Sequence, residues 1–133
     1  MVSEEIYIIE RKIFDVFVLE LRSDGIMHLH ARGEDAVNLS QYKEIIRTIG
    51  LITAGRKVPL LATADEFLVP DEEVRRYMAS VESNPYSSAS ALIMRSLSQK
   101  IVANFFTNVL KPIRPIKFFT DKEKAISWLR TFL

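Results

Sequence analysis

The sequence predicts an α/β fold in which an N-terminal β-hairpin leads into alternating helices and strands. The result is a mixed central sheet with about four helices. Three observations carry this. Ser23-Asp24-Gly25 separates two β-prone runs, and Asp-Gly in that setting is a hairpin turn. From Asn38 onward, apolar residues at helical spacing alternate with short apolar runs. Strand–helix–strand units of this kind favour parallel neighbours joined by right-handed crossovers.

The elements follow in order. Ile6-Tyr7-Ile8-Ile9 is a β-prone run that Glu10-Arg11-Lys12 is expected to end. Phe14 to Leu21 reads as a longer strand with apolar residues on both faces, and Ile26 to Arg32 completes the hairpin. Asn38 caps a helix, with Gln41 in capping-box position. Tyr42, Ile45, Ile46, Ile49 and Ile52 then line one face, and Gly55 stops it. Val58–Ala64 is a buried strand. Pro70-Asp71-Glu72-Glu73 opens the next helix, where negative charge complements the dipole, and Val74, Tyr77, Met78 and Val81 form its stripe. Ser83 to Ser88 is a loop, and Ala89–Met94 a strand. Ser96 and Gln99 cap a helix running towards Leu110. Arg114–Phe119 is the last strand. Thr120 and Glu123 cap the last helix, whose face is Ala125, Trp128, Leu129 and Phe132.

Composition sets outer limits. The 133 residues fit one domain, residues 1–133, able to bury roughly two-thirds of its unfolded surface. Hydrophobic residues make up 48% and charged residues 26%, which argues against disorder. The absence of cysteine removes disulfides, thiolate metal sites and cysteine nucleophiles. The acidic start has no signal-peptide pattern and no run approaches a transmembrane length, so the expected location is the cytoplasm. Charge divides unevenly, −5 over residues 1–94 and +6 over residues 95–133. With a sequence pI near 8.0, the basic end falls short of a dedicated nucleic-acid binder. Its expected role is to balance the acidic part.

Beyond this order of elements, Ala91-Leu92-Ile93, Ser96, Lys100, Asn104-Phe105-Phe106, Pro115 to Phe119 and Ala125 to Leu129 resemble single-domain bacterial proteins of the STAS-like superfamily. Anti-sigma factor antagonists are its best-known members. The resemblance spans roughly Phe14 to Phe132 and implies a regulatory, protein-interacting module. In those antagonists a partner kinase phosphorylates a serine in an Asp-Ser-Ser-Gly-like turn that opens a helix. The corresponding segment here, Asp65 to Glu73, contains no Ser, Thr or Gly. Phosphorylation at that place is chemically impossible. Asp71 and Glu72 carry negative charge there, and ordinary helix capping accounts for it.

Catalytic and cofactor signatures are missing. No serine lies in a Gly-x-Ser-x-Gly elbow, and four glycines make no phosphate-cradling loop. His28 and His30 share a strand face, but two ligands do not make a zinc site, so an exposed face is expected and no metal. Glu34-Asp35 and Asp65-Glu66 read as solvated loop charges. The helix after Ser96 is apolar around half its circumference, through Ile101, Val102, Phe105, Phe106, Val109 and Leu110. The reading is therefore a non-catalytic interaction module without cofactors, expected to dimerise. Its partner surface is placed at Pro70, Asp71, Glu72, Lys100, Asn104 and Phe106. The alternative is a carrier of a small apolar or lipid-like ligand held by Phe105, Phe106 and Trp128; an unassigned enzyme comes third.

Overall fold

A computed structural model describes residues 5–33, 36–80, 84–105 and 114–133. The chain runs β1 (Ile8–Ile13), β2 (Phe17–Arg22), β3 (Met27–Ala31), α1 (Leu39–Ile52), β4 (Val58–Ala64), α2 (Glu72–Met78), β5 (Ser87–Ile93), α3 (Leu97–Phe105), β6 (Ile116–Phe119) and α4 (Lys122–Arg130). All six strands form one sheet in sequence order. β1, β2 and β3 pair antiparallel, and β3 to β6 pair parallel. Among the described residues the fold is the expected α/β architecture, a mixed sheet with four helices.

The N-terminal limits differ from the sequence reading. β1 continues through Glu10-Arg11-Lys12 because it is an edge strand, exposed along its whole length, where charge costs nothing. β2 begins only at Phe17, since the Phe14 N–H donates to the Phe17 carbonyl and closes a turn. Gly25 sits at φ +90° in the second hairpin, a conformation side chains resist. There Asp24 accepts from Arg22 at 2.7 Å and from Arg130 of α4 at 3.5 Å, tying the hairpin to the last helix.

Strand register sorts the side chains into two layers. Leu19, Leu29, Ala62, Leu92 and Phe118 lie in one row across one face; Glu20, His28, Leu61, Ala91 and Lys117 lie in a row across the other. On the first face Ile45 and Ile49 of α1 are buried against Phe17, Leu19, Met27 and Leu60. On the second, Ala125, Ile126 and Leu129 of α4 are buried with Ile26, Leu61, Ala89 and Ala91. Among the described residues, α4 is the helix that joins the second core, and Glu20 and His28 lie beside it on the β2 and β3 part of that face.

The caps explain the helix positions. Asn38 and Gln41 bond reciprocally at 2.8 and 3.0 Å, and Asp71 accepts from Val74 N–H at 2.9 Å. The last helix is capped by Asp121, which accepts from Glu123 N–H at 2.9 Å, and not by Thr120. The shift by one residue puts the stronger acceptor at the dipole's positive end. Gly50 lets α1 lie against the Tyr86 ring; a Cβ there would stand 2.5 Å from it.

Candidate functional site

On the first face, beneath α2 and α3, small side chains leave space. Ala62 and Ala64 present single methyl groups where Leu60 fills its place. Around the gap stand Tyr42 and Ile45 of α1, Val74 and Met78 of α2, Val102 of α3, and Leu92 and Phe118 of the sheet. The cavity measures about 130 Å³ and is almost wholly apolar. It lies by the carboxyl ends of β4 and β5, where open parallel sheets characteristically take ligands.

The segment from Asp65 to Pro70 helps roof it, with Leu68, Val69 and Pro70 among the lining. Gln99, on α3, holds this segment in place. Its amide nitrogen donates to the Asp65 carbonyl at 3.0 Å and the Leu68 carbonyl at 2.9 Å. Its amide oxygen accepts from Arg95 N–H at 2.7 Å. The roof is tied to the start of α1 by a bridge between Val37 and Pro70. Every one of these links is a hydrogen bond that opening would expose or break.

The opposite face of β3 and β4 carries a polar chain. Thr63 Oγ1 lies 2.8 Å from both His28 Nε2 and His30 Nδ1, and His30 Nε2 lies 3.0 Å from Asp65 Oδ1. Asp65 Oδ2 accepts from Gly33 N–H at 2.8 Å. At the other end His28 Nδ1 stands 3.5 Å from Glu20, which accepts from Arg11 Nε at 2.6 Å. The Asp65 carboxylate only accepts, so His30 donates from Nε2; in the neutral ring Nδ1 then accepts the Thr63 proton, and His28 Nε2 donates to the Thr63 oxygen. Burial, followed by the positive charge of Lys122, pushes His28 down to about 4, outweighing Glu20. The Gly33 N–H and then the His30 hydrogen bond hold the Asp65 carboxyl below its usual range. Asp65 therefore joins two systems: its carboxylate ends the polar chain, and its carbonyl receives Gln99 under the roof.

The sequence matches the family model of a domain of unknown function, DUF7793, over residues 19–133. The chain belongs to the DUF7793 family. Among solved structures it is similar to an uncharacterised protein of the DUF3478 family from Shewanella loihica PV-4, described as having a SpoIIAA-like fold. The two are 18% identical over 97% of this chain and 98% of that one, with a TM-score of 0.46. No curated protein matches.

In this DUF7793 domain the expected site residues fall in separate places. Pro70 lines the cavity. Asp71 caps α2, and Glu72 pairs with Arg76 at 3.0 Å. Lys100 and Asn104 are exposed on α3; Phe106 lies outside the described residues, as do Glu34 and Asp35. Phe105 is half-buried, with the Arg75 guanidinium 6.0 Å from its ring centre. Trp128 stacks among Phe119 and Phe132 on the α4 face. The sheet thus separates Trp128 from the α3 side, and the two do not form one ligand surface. The histidines are not an exposed face either, since Thr63 draws both inward. Along the described part of α3, Gln99 and Ala103 are buried, Val102 and Phe105 are half-buried, and Leu97 and Ile101 are exposed. Gln99 and Asp65 are the residues that sequence reasoning missed. Gln99 stood in a capping position that explained it fully, and nothing local marked its reach to residues more than thirty positions earlier.

Proposed function

We propose that this domain is a non-catalytic, cytoplasmic binding module that takes a small apolar molecule into the cavity between β4, β5 and α1–α3. The single observation that carries the reading is an apolar space of about 130 Å³ roofed by a segment whose Asp65 and Leu68 carbonyls are held by Gln99. A cavity of about 150 Å³ with a comparable lining stays dry and takes up benzene, so the size suits a ring or short chain. Leu29, Leu92 and Met94 supply contact, and Gln99 offers the one amide within reach.

The experiment is native mass spectrometry of gently purified protein, followed by benzene titration watched through side-chain methyl NMR signals. A mass above the 15.3 kDa chain, or saturable shifts at Ile45, Val74 and Val102, is the expected result. Ala64→Leu, which fills the cavity from its floor, should abolish those shifts and leave the rest of the spectrum in place. A bare chain mass together with no saturable shift would overturn the proposal.

A second reading is a protein-docking module. Exposed Phe67, Leu97 and Ile101 favour it, being 74%, 74% and 60% accessible. With them on the surface are Lys100 and Asn104. A pull-down in which Ile101→Glu loses a partner that Ala64→Leu keeps would select this reading over the first.

A further inference from the structure

β1 ends the sheet and is covered by nothing among the described residues. Tyr7, Ile9 and Ile13 are exposed by 65%, 58% and 63%. An uncovered edge strand offers its outward backbone groups to another strand, and the charged residues it carries restrict which pairing is allowed. We propose that β1 pairs antiparallel with β1 of a second copy, about a two-fold axis at Arg11, making one continuous sheet through the dimer.

Backbone geometry supports the place of the axis. The Phe14 N–H bonds to the Phe17 carbonyl. In an antiparallel ladder bonded and non-bonded pairs alternate. Lys12 and Glu10, opposite Leu19 and Leu21, therefore turn their N–H and C=O towards β2. Arg11 and Ile13 turn theirs outward, free to meet a second strand.

Charge then chooses the register. Opposed side chains must point to the same face of the sheet, so a two-fold axis normal to it passes beside a single residue. An axis at Glu10 sets that carboxylate against its own copy, and an axis at Lys12 does the same with two ammonium groups. Like charges directly opposed are destabilising. An axis at Ile13 overlaps only the last residues of the strand. An axis at Arg11 sets Glu10 against the second copy's Lys12, twice, and brings Ile13 beside the second copy's Ile9. The two Arg11 side chains then face each other, but each is already held by its own Glu20, at 2.6 Å. The interrupted ladder between Ile8 and Glu10 limits the regular pairing to the segment that carries these charges. Pairing of this kind is isologous and closes at two copies.

Sedimentation of the full chain over a range of concentrations should give twice the 15.3 kDa mass. Glu10→Lys sets like charges opposite at two places and should weaken the dimer about tenfold or more. Adding Lys12→Glu should restore it. Because the chain has no cysteine, Arg11→Cys introduces a single thiol beside the axis. It should cross-link to its copy under mild oxidation, whereas Ile13→Cys should not. A wild-type monomer, growth into open-ended species, a dimer indifferent to Glu10→Lys, or cross-linking at Ile13 in place of Arg11 would each overturn the proposal. Circular dichroism of each variant confirms that the exposed substitutions leave the fold intact.

Discussion

α1 and α3 lie on the same face of the same sheet, and each precedes a parallel strand, yet they meet the sheet differently. α1 buries three isoleucines, Ile45, Ile46 and Ile49, and leaves Leu51 outside. α3 buries Gln99 and Ala103, leaves Leu97 and Ile101 in solvent, and borders a cavity. The difference teaches that an apolar stripe does not orient a helix by itself. Below α1 the sheet offers Phe17, Leu19, Met27 and Leu60 as packing partners. Towards α3 the alanines Ala62 and Ala64 stand beside Leu92 and Phe118, and are too small to fill the space. There, hydrogen bonds from Gln99 to Asp65 and Leu68 set the rotation instead.

The largest effect should come from the packed helix. Ile49 is 1% exposed, so Ile49→Ala removes buried carbons where neighbours cannot collapse, costing about 2–5 kcal/mol. Val102→Ala, at the cavity wall, should cost less than half of that because part of its environment is already empty. Urea unfolding of both variants measures the two losses. Equal losses would mean that the two helices are packed alike, and the comparison would fail.

Gln99→Met is next. It keeps the volume and removes the amide, leaving the carbonyls of Asp65 and Leu68 without their donor. The expected cost is about 2–3 kcal/mol, from two groups deprived of a partner. Hydrogen exchange should quicken across the roof and α3 while α1 remains protected. Uniform quickening over both helices would show that Gln99 supports the whole domain and not the roof.

What the sequence revealed follows the same division. The alternation of helices and strands was legible because Ile45, Ile46 and Ile49 recur at helical spacing and Val58 to Leu61 form an unbroken apolar run. Asn38 and Gln41 announced the start of α1 correctly, since a capping box is a local device. The cavity was not legible. It arises from the pairing of Ala62 with Leu92 beneath helices distant in sequence. His28 and His30 were recognised as facing one way, but their partner Thr63 lies more than thirty residues on and arrives through parallel pairing. Which part of the apolar half of α3 faces solvent is not legible either, since it depends on side chains such as Ala62 and Ala64 that parallel pairing brings beneath the helix.

Acid should act through the buried imidazole of β3. His28 has its folded pKa lowered from 6.5 to about 4, so between those values the unfolded chain binds a proton that the folded chain refuses. Stability is therefore fully present above about 6.5 and falls as pH drops towards 4. For His28 alone the loss between pH 7 and pH 5 is about 2 kcal/mol. Asp65, held below its ordinary value, adds a loss in the same direction at lower pH still, as it protonates. His28→Gln removes the imidazole, and its urea-unfolding free energy should vary much less between pH 7 and pH 5. An unchanged slope in that variant would place the titrating group elsewhere.

The smallest effect tests the exposed side of α3. Ile101 and Leu97 touch solvent over most of their surface, so Ile101→Ser should change stability by less than about 0.5 kcal/mol, the scale of surface substitutions. Helix propensity alone favours neither residue strongly. The contrast with Ile49→Ala is informative because the residue type is the same and only the rotation of its helix differs. If Ile101→Ser instead cost as much as Ile49→Ala, the apolar side of α3 would face the core in solution, and Gln99 would lose its hold on the roof. Measuring the pair by thermal and urea unfolding therefore decides which side of α3 meets the sheet, on which both the cavity and its closure depend.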